Sequence, residues 1–107
     1  MIFVKTGVVF KKLIPAIYNL FPVIDRIWDE LAGFGPTITS ANDSKHMVGS
    51  KHGTDEALDL RTINLSTEKK HAIVARLKKE LTPLGYDVVF ENEGKHGEHI
   101  HIEWDPK

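Results

Sequence analysis

The chain of 107 residues is long enough for one compact domain, and its hydrophobic content of 41% can supply a core. Basic and acidic residues nearly balance at a net charge of −1, which argues against a nucleic-acid or anionic-membrane partner recruited by a basic field. The absence of cysteine excludes disulfides, thiolate metal sites and a cysteine nucleophile.

The longest apolar stretch is too short to cross a bilayer. The run "LIPAIYNLFPVI" is interrupted by Pro15, Pro22 and polar residues, well short of the roughly 20 apolar residues that a membrane helix needs. The amino terminus lacks the small-residue cleavage pattern of a secretory signal. We therefore expect a soluble, untargeted chain that folds as a single domain over residues 1–107.

The first third of the chain predicts a strand and two helices. Residues 2–9 have the pattern of a strand or an extended entry segment. Helical spacing follows despite Pro15, at Phe10, Leu13, Ile14 and Ile17. A second helix is indicated between Pro22, in its first turn, and Gly33, at its end; its apolar residues are Ile24, Ile27, Trp28 and Leu31.

Two short strands flank a long polar loop. "TITS" (37–40) is rich in β-branched residues, and "EALDLRT" alternates Leu58 and Leu60 with polar side chains. This alternation predicts a half-buried strand on which Asp59 faces away from the leucines. The loop of residues 41–55 between them is long for a domain of this size, and long loops often carry function.

The remaining segments predict a helix and a hairpin. Ser66 can cap a helix through about Leu81, whose apolar face is formed by Ile73, Val74, Leu77 and Leu81. "YDVVFE" (86–91) and "HIHIEW" (99–104) follow as two strands joined by the turn "NEGKHG". Together the elements predict an α+β fold with a small, mainly antiparallel sheet and helices packed on one face.

Histidine is frequent, with six in the chain, and four lie in or beside the long loop and the last strand: His46, His52, His99 and His101. In "HIHIEW" the two-residue period of a strand puts both histidines and Glu103 on one face. The isoleucines and the tryptophan share the other face. The apolar face is expected to pack, which leaves the histidine face available for chemistry.

His52, Asp59 and His101 form a candidate ligand set for a catalytic zinc ion. Imidazole and carboxylate are the usual zinc ligands in a protein without cysteine, and three protein ligands leave one position open. Each residue also has an ordinary explanation: a turn at His52, an ion pair of Asp59 with an arginine, or an exposed histidine face. Asp59 is an acid in the middle of a strand, on the face away from Leu58 and Leu60, and this position favours the metal site.

Two stretches resemble the motifs of a zinc peptidase family. "SKHGTDEALDL" is similar to the pattern S-x-H-x-x-G-x-A-x-D with the glycine displaced, and "EHIHIE" is similar to its E-x-x-H or H-x-H partner. Together they resemble the Hedgehog/DD-peptidase zinc-binding group, over residues 37–104; residues 1–36 match nothing specific. The resemblance implies a zinc metallopeptidase, either a D-alanyl-D-alanine carboxypeptidase or an endolysin-like L-alanyl-D-glutamate peptidase, that cleaves peptidoglycan stem peptides.

The resemblance implies Zn²⁺ on His52, Asp59 and His101, with Glu98 as the general base. Zinc lowers the pKa of a water toward about 7, and an adjacent carboxylate can complete the deprotonation. If the last strand already includes Glu98, its side chain points to the apolar face, away from His101. The assignment therefore requires the chain to turn at Gly97.

His99 is the alternative base, because it shares the face of His101 and relatives with an H-x-H pattern have a histidine in that part of the active site. Glu98 is preferred, since a carboxylate tolerates the field of a nearby cation better than imidazole does. Glu103 is a candidate for orienting His101 from behind.

The chain departs from the family upstream of the first ligand. Many members have an arginine in an S-x-x-R pattern, whereas this chain reads "SAND" and has Asp43 there. A shorter branch with phage-encoded members, similar to T-S-x-x-D-x-x-H, fits better and implies that Asp43 and His46 are site residues. Loop capping by Asn42, Asp43 and Ser44 is the structural alternative. Without the arginine, oxyanion support falls to zinc, Arg61 or His46.

Two other classes of function stay open. The ligands can serve a zinc-stabilised binding module or virion structural module that has lost hydrolysis, and the missing arginine favours this reading. A metal-free interaction domain is the third reading. The location is left open by the sequence; a phage-encoded chain with this resemblance and no signal would stay in the cytoplasm until lysis or belong to a virion. Its oligomeric state is left open by the sequence.

Overall fold

The computed structural model describes residues 1–10, 13–41 and 56–106. Its helices are α1 (Pro15–Tyr18), α2 (Leu20–Leu31) and α3 (Thr67–Leu81), and a 3-10 helix follows α3 at Thr82–Leu84. Its strands are β1 (Phe3–Val4), β2 (Thr37–Ser40), β3 (Ala57–Arg61), β4 (Tyr86–Glu91) and β5 (His99–Trp104). Segment 42–55 lies outside the described residues. It contains three residues of the predicted site: Asp43, His46 and His52.

The five strands of the described chain form one sheet in the order β1-β2-β3-β5-β4. The two-residue β1 runs parallel to β2, and the other three neighbouring pairs are antiparallel. The prediction of an α+β fold with a mainly antiparallel sheet is therefore confirmed. β5 lies between β3 and β4, although α3 and β4 separate β3 from β5 along the chain. This insertion brings the aspartate strand next to the histidine strand.

The two long helices begin and end close to the predicted positions. Pro22 lies in the first turn of α2, where a missing N–H removes no helical hydrogen bond. Gly33, with φ of +83°, follows the helix, and its N–H donates to the carbonyl oxygen of Trp28. Ser66 caps α3, since its Oγ accepts a hydrogen bond from the N–H of Lys69 at 3.2 Å. No helix of the described chain is long and apolar enough to span a bilayer.

The amino-terminal elements are shorter than the sequence predicts. α1 begins only at Pro15, so Phe10, Leu13 and Ile14 precede the helix instead of forming its face. Proline fits the first helical position but disfavours helical conformation in the residue before it. Of the predicted segment 2–9, Phe3 and Val4 alone form a strand.

The apolar sides of α2, α3 and the sheet share one core. Every second residue of the two central strands is fully buried in it: Leu58 and Leu60 of β3, and Ile100 and Ile102 of β5. The helices contribute Ile24, Ile27, Ile73 and Leu77, which are also fully buried. The intervening residues of β3 and β5 consequently lie on the opposite, outer face of the sheet.

Candidate metal centre

The register of the two central strands brings Asp59, His99 and His101 together on the outer face. Asp59 of β3 is directly opposite His101 of β5, and Arg61 is opposite His99. Opposite residues of an antiparallel pair direct their side chains to the same face. An aspartate and two histidines are therefore neighbours there, with the isoleucines and leucines of the same strands on the other side.

These three side chains are close enough to share one metal ion. Nδ1 of His101 lies 2.9 Å from Oδ1 of Asp59, and Nε2 of His99 lies 3.7 Å from the same oxygen. One ligand atom from each residue can be chosen so that all three lie within 4.8 Å of one another. The side chains are between 13% and 22% exposed, so each keeps some contact with solvent. The group is thus a candidate metal centre with nitrogen and oxygen ligands.

Glu103 holds the ring of His101 from the side away from Asp59. Its Oε1 lies 2.7 Å from Nε2 of His101, while Nδ1 faces Asp59. Nδ1 is therefore the nitrogen that points toward the other candidate ligands. A carboxylate behind a ligand histidine orients its ring and raises its basicity. This contact agrees with the sequence-based role of Glu103.

The two carboxylates also determine the charge of His101 when no metal is bound. The hydrogen bond to Asp59 raises the pKa of His101, burial lowers it, and the hydrogen bond to Glu103 raises it again, to about 9. At neutral pH the ring is consequently protonated and donates from both nitrogens. A metal ion must displace the proton on Nδ1, so metal binding at this site is coupled to proton release.

His99 belongs to the metal group, although the sequence-based prediction for it was the role of a base. Its Nδ1 lies 2.6 Å from the carbonyl oxygen of Gly97, and its Nε2 lies 3.3 Å from Oε1 of Glu91. A carbonyl oxygen and a carboxylate oxygen both only accept, so the two hydrogen bonds together need a proton on each ring nitrogen. In the neutral ring with the proton on Nδ1, Nε2 has a lone pair and gives up the hydrogen bond to Glu91. That lone pair suits a metal ligand and a proton acceptor equally.

The structure thus brings two of the three predicted ligands together, Asp59 and His101. The third, His52, lies outside the described residues, as do the predicted substrate contacts Asp43 and His46. The sequence contained the signal for His99, because strand alternation already put it on the face of His101. Arg61 lies on the same outer face and lines a groove beside Asp59 and His99.

Glu98 does not fit its expected role as the base. β5 begins at His99, and the Glu98 carboxylate lies on the helical side of the sheet, where its side chain is only 2% exposed. Nζ of Lys70, on α3, lies 2.8 and 2.9 Å from its two oxygens. Gly97 does adopt a positive φ of +82°, but this turn does not carry the carboxylate to the histidine face. Glu98 therefore lies on the same side of the sheet as Ile100 and away from His101, as the alternation of strand side chains predicts.

The contacts of Glu98 are those of a structural ion pair. Besides Lys70, its oxygens accept hydrogen bonds from the hydroxyl of Thr62 at 2.6 Å and the N–H of Gly94 at 2.8 Å. Burial raises the pKa of Glu98, but the hydrogen bonds from Lys70, Thr62 and Gly94 outweigh it and lower the pKa to about 2. The pair ties the start of β5 to α3 and so helps to position His99.

The sequence also contains a signal for the partner of Glu98, which was not predicted. Lys70 precedes Ile73 and Val74 by three and four residues, so it lies on the apolar face of α3. A lysine on a core-facing stripe requires an acidic partner from another element, because a buried charge without one is costly. Which acid would serve was not evident from the sequence.

A second group of acidic residues lies at the other end of the outer face. Asp87, Glu103 and Asp105 also offer oxygens within 4.8 Å of one another. This group contains no imidazole, and Glu103 already binds His101. The histidine group is therefore the stronger candidate for a transition metal such as zinc.

Comparison with protein-family models, with curated proteins and with solved structures gives no match for this chain. The likeness to the Hedgehog/DD-peptidase group therefore rests on the motifs around His52 and His101.

Proposed function

We propose that the protein is a zinc-dependent hydrolase that cleaves peptide bonds in D-amino-acid-containing stem peptides of peptidoglycan. The observation that carries this proposal is the convergence of Asp59, His99 and His101 on one open face of the sheet. The peptidase class comes from the resemblance of the motifs, and the two lines of argument meet on Asp59 and His101.

The proposed zinc ligands are His52, Asp59 and His101. Imidazole and carboxylate suit zinc, and three protein ligands are the pattern of a catalytic site. A bound zinc ion would supply a Lewis acid for the peptide carbonyl and would lower the pKa of water to about 7. Nδ1 of His101 is the nitrogen that this arrangement uses, because Glu103 occupies Nε2.

His99 replaces Glu98 as the proposed base. Its Nε2 lies 3.7 Å from Oδ1 of Asp59, so a water held beside Asp59 is within reach of this nitrogen. His99 takes the proton from the attacking water and returns it to the leaving amine. The Glu98 carboxylate, by contrast, is bound to Lys70 on the other side of the sheet.

The test combines metal analysis with an assay for amine release from purified peptidoglycan and from short D-alanyl and D-glutamyl peptides. Wild type is expected to bind one zinc per chain and to hydrolyse at least one of these substrates. Asp59→Ala and His101→Ala should lose both properties. His71→Ala is the matched control, because His71 is an exposed histidine of α3 that pairs with Glu93; it should retain both.

His99→Ala separates the two roles of this histidine. If His99 is the base, the His99→Ala variant should keep its zinc and lose roughly two to four orders of magnitude in turnover. Loss of zinc instead would make His99 a ligand. A His99→Ala variant that keeps full turnover, alongside a Glu98→Gln variant that folds and is inactive, would return the base role to Glu98.

A zinc-stabilised binding module is the second candidate function. The observation that favours it is the ion pair of Glu98, which removes the family's expected carboxylate from the metal face. For such a module, zinc would raise the melting temperature by binding only the folded chain, and no substrate would be turned over. Zinc binding without hydrolysis of any of the peptides would decide for this candidate.

A further inference from the structure

The ring of His99 contacts both the sheet and the turn of residues 92–98 that joins β4 to β5. Nδ1 of His99 lies 2.6 Å from the carbonyl oxygen of Gly97, which belongs to this turn. On the other side of the ring, Nε2 lies 3.3 Å from Oε1 of Glu91 and 3.7 Å from Oδ1 of Asp59. The ring therefore lies between one backbone acceptor of the turn and two carboxylates of the sheet.

These two hydrogen bonds compete for the proton of the neutral ring, which carries only one. With the proton on Nδ1, the ring donates to Gly97, and Nε2 presents a lone pair on the side of Asp59. With the proton on Nε2, the ring donates to Glu91, and two acceptors then face each other at Gly97. Only the first tautomer lets Nε2 accept a proton from a water beside Asp59. The position of the Gly97 carbonyl oxygen consequently selects the tautomer that a base requires.

The turn itself has little internal structure to fix that carbonyl oxygen. Asn92, Gly94 and Gly97 have positive φ angles of 57°, 74° and 82°. Two backbone hydrogen bonds lie within it, from the N–H of Lys95 to Asn92 at 2.9 Å and from the N–H of Glu98 to Lys95 at 3.3 Å. Every residue of the turn before Glu98 is exposed. A turn of this kind needs an anchor outside itself to hold one conformation.

Glu98, the last residue of the turn, provides that anchor. Its Oε2 accepts a hydrogen bond from the N–H of Gly94 at 2.8 Å, and its Oε1 accepts one from the hydroxyl of Thr62 at 2.6 Å. Nζ of Lys70 lies 2.8 and 2.9 Å from the two oxygens. One carboxylate thus connects the middle of the turn with the segment after β3 and with α3.

A second contact joins the turn to α3, but it is exposed. Nε2 of His71 lies 2.7 Å from Oε2 of Glu93, and the two side chains are 56% and 45% exposed. Exposed pairs of this kind contribute little, because water competes for both partners. The Glu98 side chain is only 2% exposed, so its hydrogen bonds are shielded from that competition.

We infer that Glu98 is a positioning residue for His99: its carboxylate holds the turn so that the Gly97 carbonyl oxygen selects the Nδ1–H tautomer. Lys70 acts through Glu98 from the helical side of the sheet. This inference rests on the proposed hydrolase function, in which Nε2 of His99 accepts the proton of the attacking water. It gives the inner ion pair an effect on the outer face without any contact with the substrate.

The test separates the position of His99 from the stability of the fold. Lys70→Met/Glu98→Met replaces both members of the ion pair with apolar side chains of similar length, a change that often leaves stability unchanged. The double variant should therefore fold, while Gly94 loses its acceptor. Val74→Ala is the matched control, because it removes buried apolar atoms from α3 and lowers stability without changing Glu98. Lys70→Arg keeps the charge and should behave as wild type.

The readout is the tautomer of His99 in the metal-free protein, from two-bond ¹H–¹⁵N correlation spectra at an alkaline pH at which this ring is neutral. Wild type and Val74→Ala should show the Nδ1–H form, and in Lys70→Met/Glu98→Met the Nε2–H form should become the main one. In the zinc-loaded protein, the double variant should keep its zinc and lose about 10- to 100-fold in turnover. Val74→Ala should keep its turnover at a temperature where it is folded.

A folded double variant with the wild-type tautomer would overturn the inference, as would the same tautomer change in Val74→Ala. If the double variant does not fold, adding Thr62→Val removes the buried hydroxyl that is left without its acceptor, and the same readout applies. Failure of this triple variant to fold would also count against the inference, because the cluster would then serve the fold as a whole.

The tautomer also separates this inference from the proposed function. A tautomer change in the double variant, with no hydrolysis of any peptide by wild type, supports the positioning role and removes the hydrolase. Hydrolysis by wild type, with the same tautomer and turnover in the double variant, keeps the hydrolase and removes the positioning role of Glu98.

Discussion

Two acid–base pairs meet at β5 on opposite faces of the sheet, and they serve different purposes. The Glu98–Lys70 pair lies on the helical side, with the Glu98 side chain 2% exposed and the Lys70 side chain 14% exposed. The Asp59–His101 pair lies on the outer side, with exposures of 14% and 13%. In both pairs a carboxylate binds a positively charged nitrogen.

The difference lies in the cation and in what surrounds it. Besides Lys70, the oxygens of Glu98 have further donors in Thr62 and Gly94, so this pair has no open position. His101 can exchange its proton for a metal ion, and His99 lies beside it. Glu98 lies three residues before His101 in the chain, but its carboxylate binds Lys70 on the helical side of the sheet.

The largest expected effect comes from breaking the division between the two faces. Ile100→Asp puts an unpaired charge at a fully buried position and should cost several kcal/mol, enough to unfold most of a domain of ordinary stability. His99→Ala, on the neighbouring outer position, should melt within a few degrees of wild type. Circular dichroism melts of both variants test this. Similar melting temperatures for the two would contradict the half-buried geometry of β5.

Removing the cation of the inner pair should have the next largest effect. Lys70→Met leaves Glu98 buried without its charged partner, which should lower the free energy of unfolding by about 3–5 kcal/mol. Adding Glu98→Gln to this variant should restore part of the loss, because the uncompensated charge is removed. Lys78→Met, at an exposed position of the same helix, is the matched control.

Urea unfolding of the metal-free protein measures all three variants. If Lys70→Met is no less stable than Lys78→Met, the pair contributes nothing to folding, and Glu98 would again be available for another role.

The outer pair should make the stability of the metal-free protein fall at alkaline pH. The folded-state pKa of His101 is raised from 6.5 to about 9, so the folded chain binds a proton that the unfolded chain releases between these values. The stabilisation is complete below about pH 6.5 and is lost as the pH rises through 9, by a few kcal/mol at most.

Unfolding by urea between pH 6 and 10, with a chelator present, checks this sign. His101→Ala should remove most of the decline. A wild-type stability that is flat or rises over this range would show that His101 is not held protonated by Asp59 and Glu103.

The smallest expected effect concerns the residue behind the candidate ligand. Glu103→Ala should weaken zinc binding by about 10- to 100-fold, because the ring of His101 loses the carboxylate that orients it. Glu103→Gln keeps a hydrogen-bonding side chain and should lose less. Competition with a chromophoric chelator measures both. Asp87→Ala, in the neighbouring acidic group, serves as the control and should leave the affinity unchanged.

Much of the fold followed from local patterns in the sequence. The alternation in "HIHIEW" and "EALDLRT" predicted that Leu58, Leu60, Ile100 and Ile102 would be buried, although Ala57, on the other side of β3, is buried too. The helical spacing and Ser66 predicted α3. These predictions succeed because side-chain direction in a strand and end-capping in a helix depend on residues only a few positions apart. The predicted length of α1 was too great for a local reason as well. Pro15 can be the first residue of a helix, but it disfavours helical conformation in the residue before it.

The pairing of the site residues is a property of the tertiary structure. The sequence determined that Asp59 and His101 each face outward from a strand, but only the strand order puts β3 beside β5 and Asp59 opposite His101. Likewise, Lys70 was on the apolar face of α3 by its spacing, but the packing of that helix on the sheet brought it to Glu98. Local patterns determine the direction of a side chain, whereas its partner depends on contacts between segments distant in the chain, and those are decided by burial of the whole core.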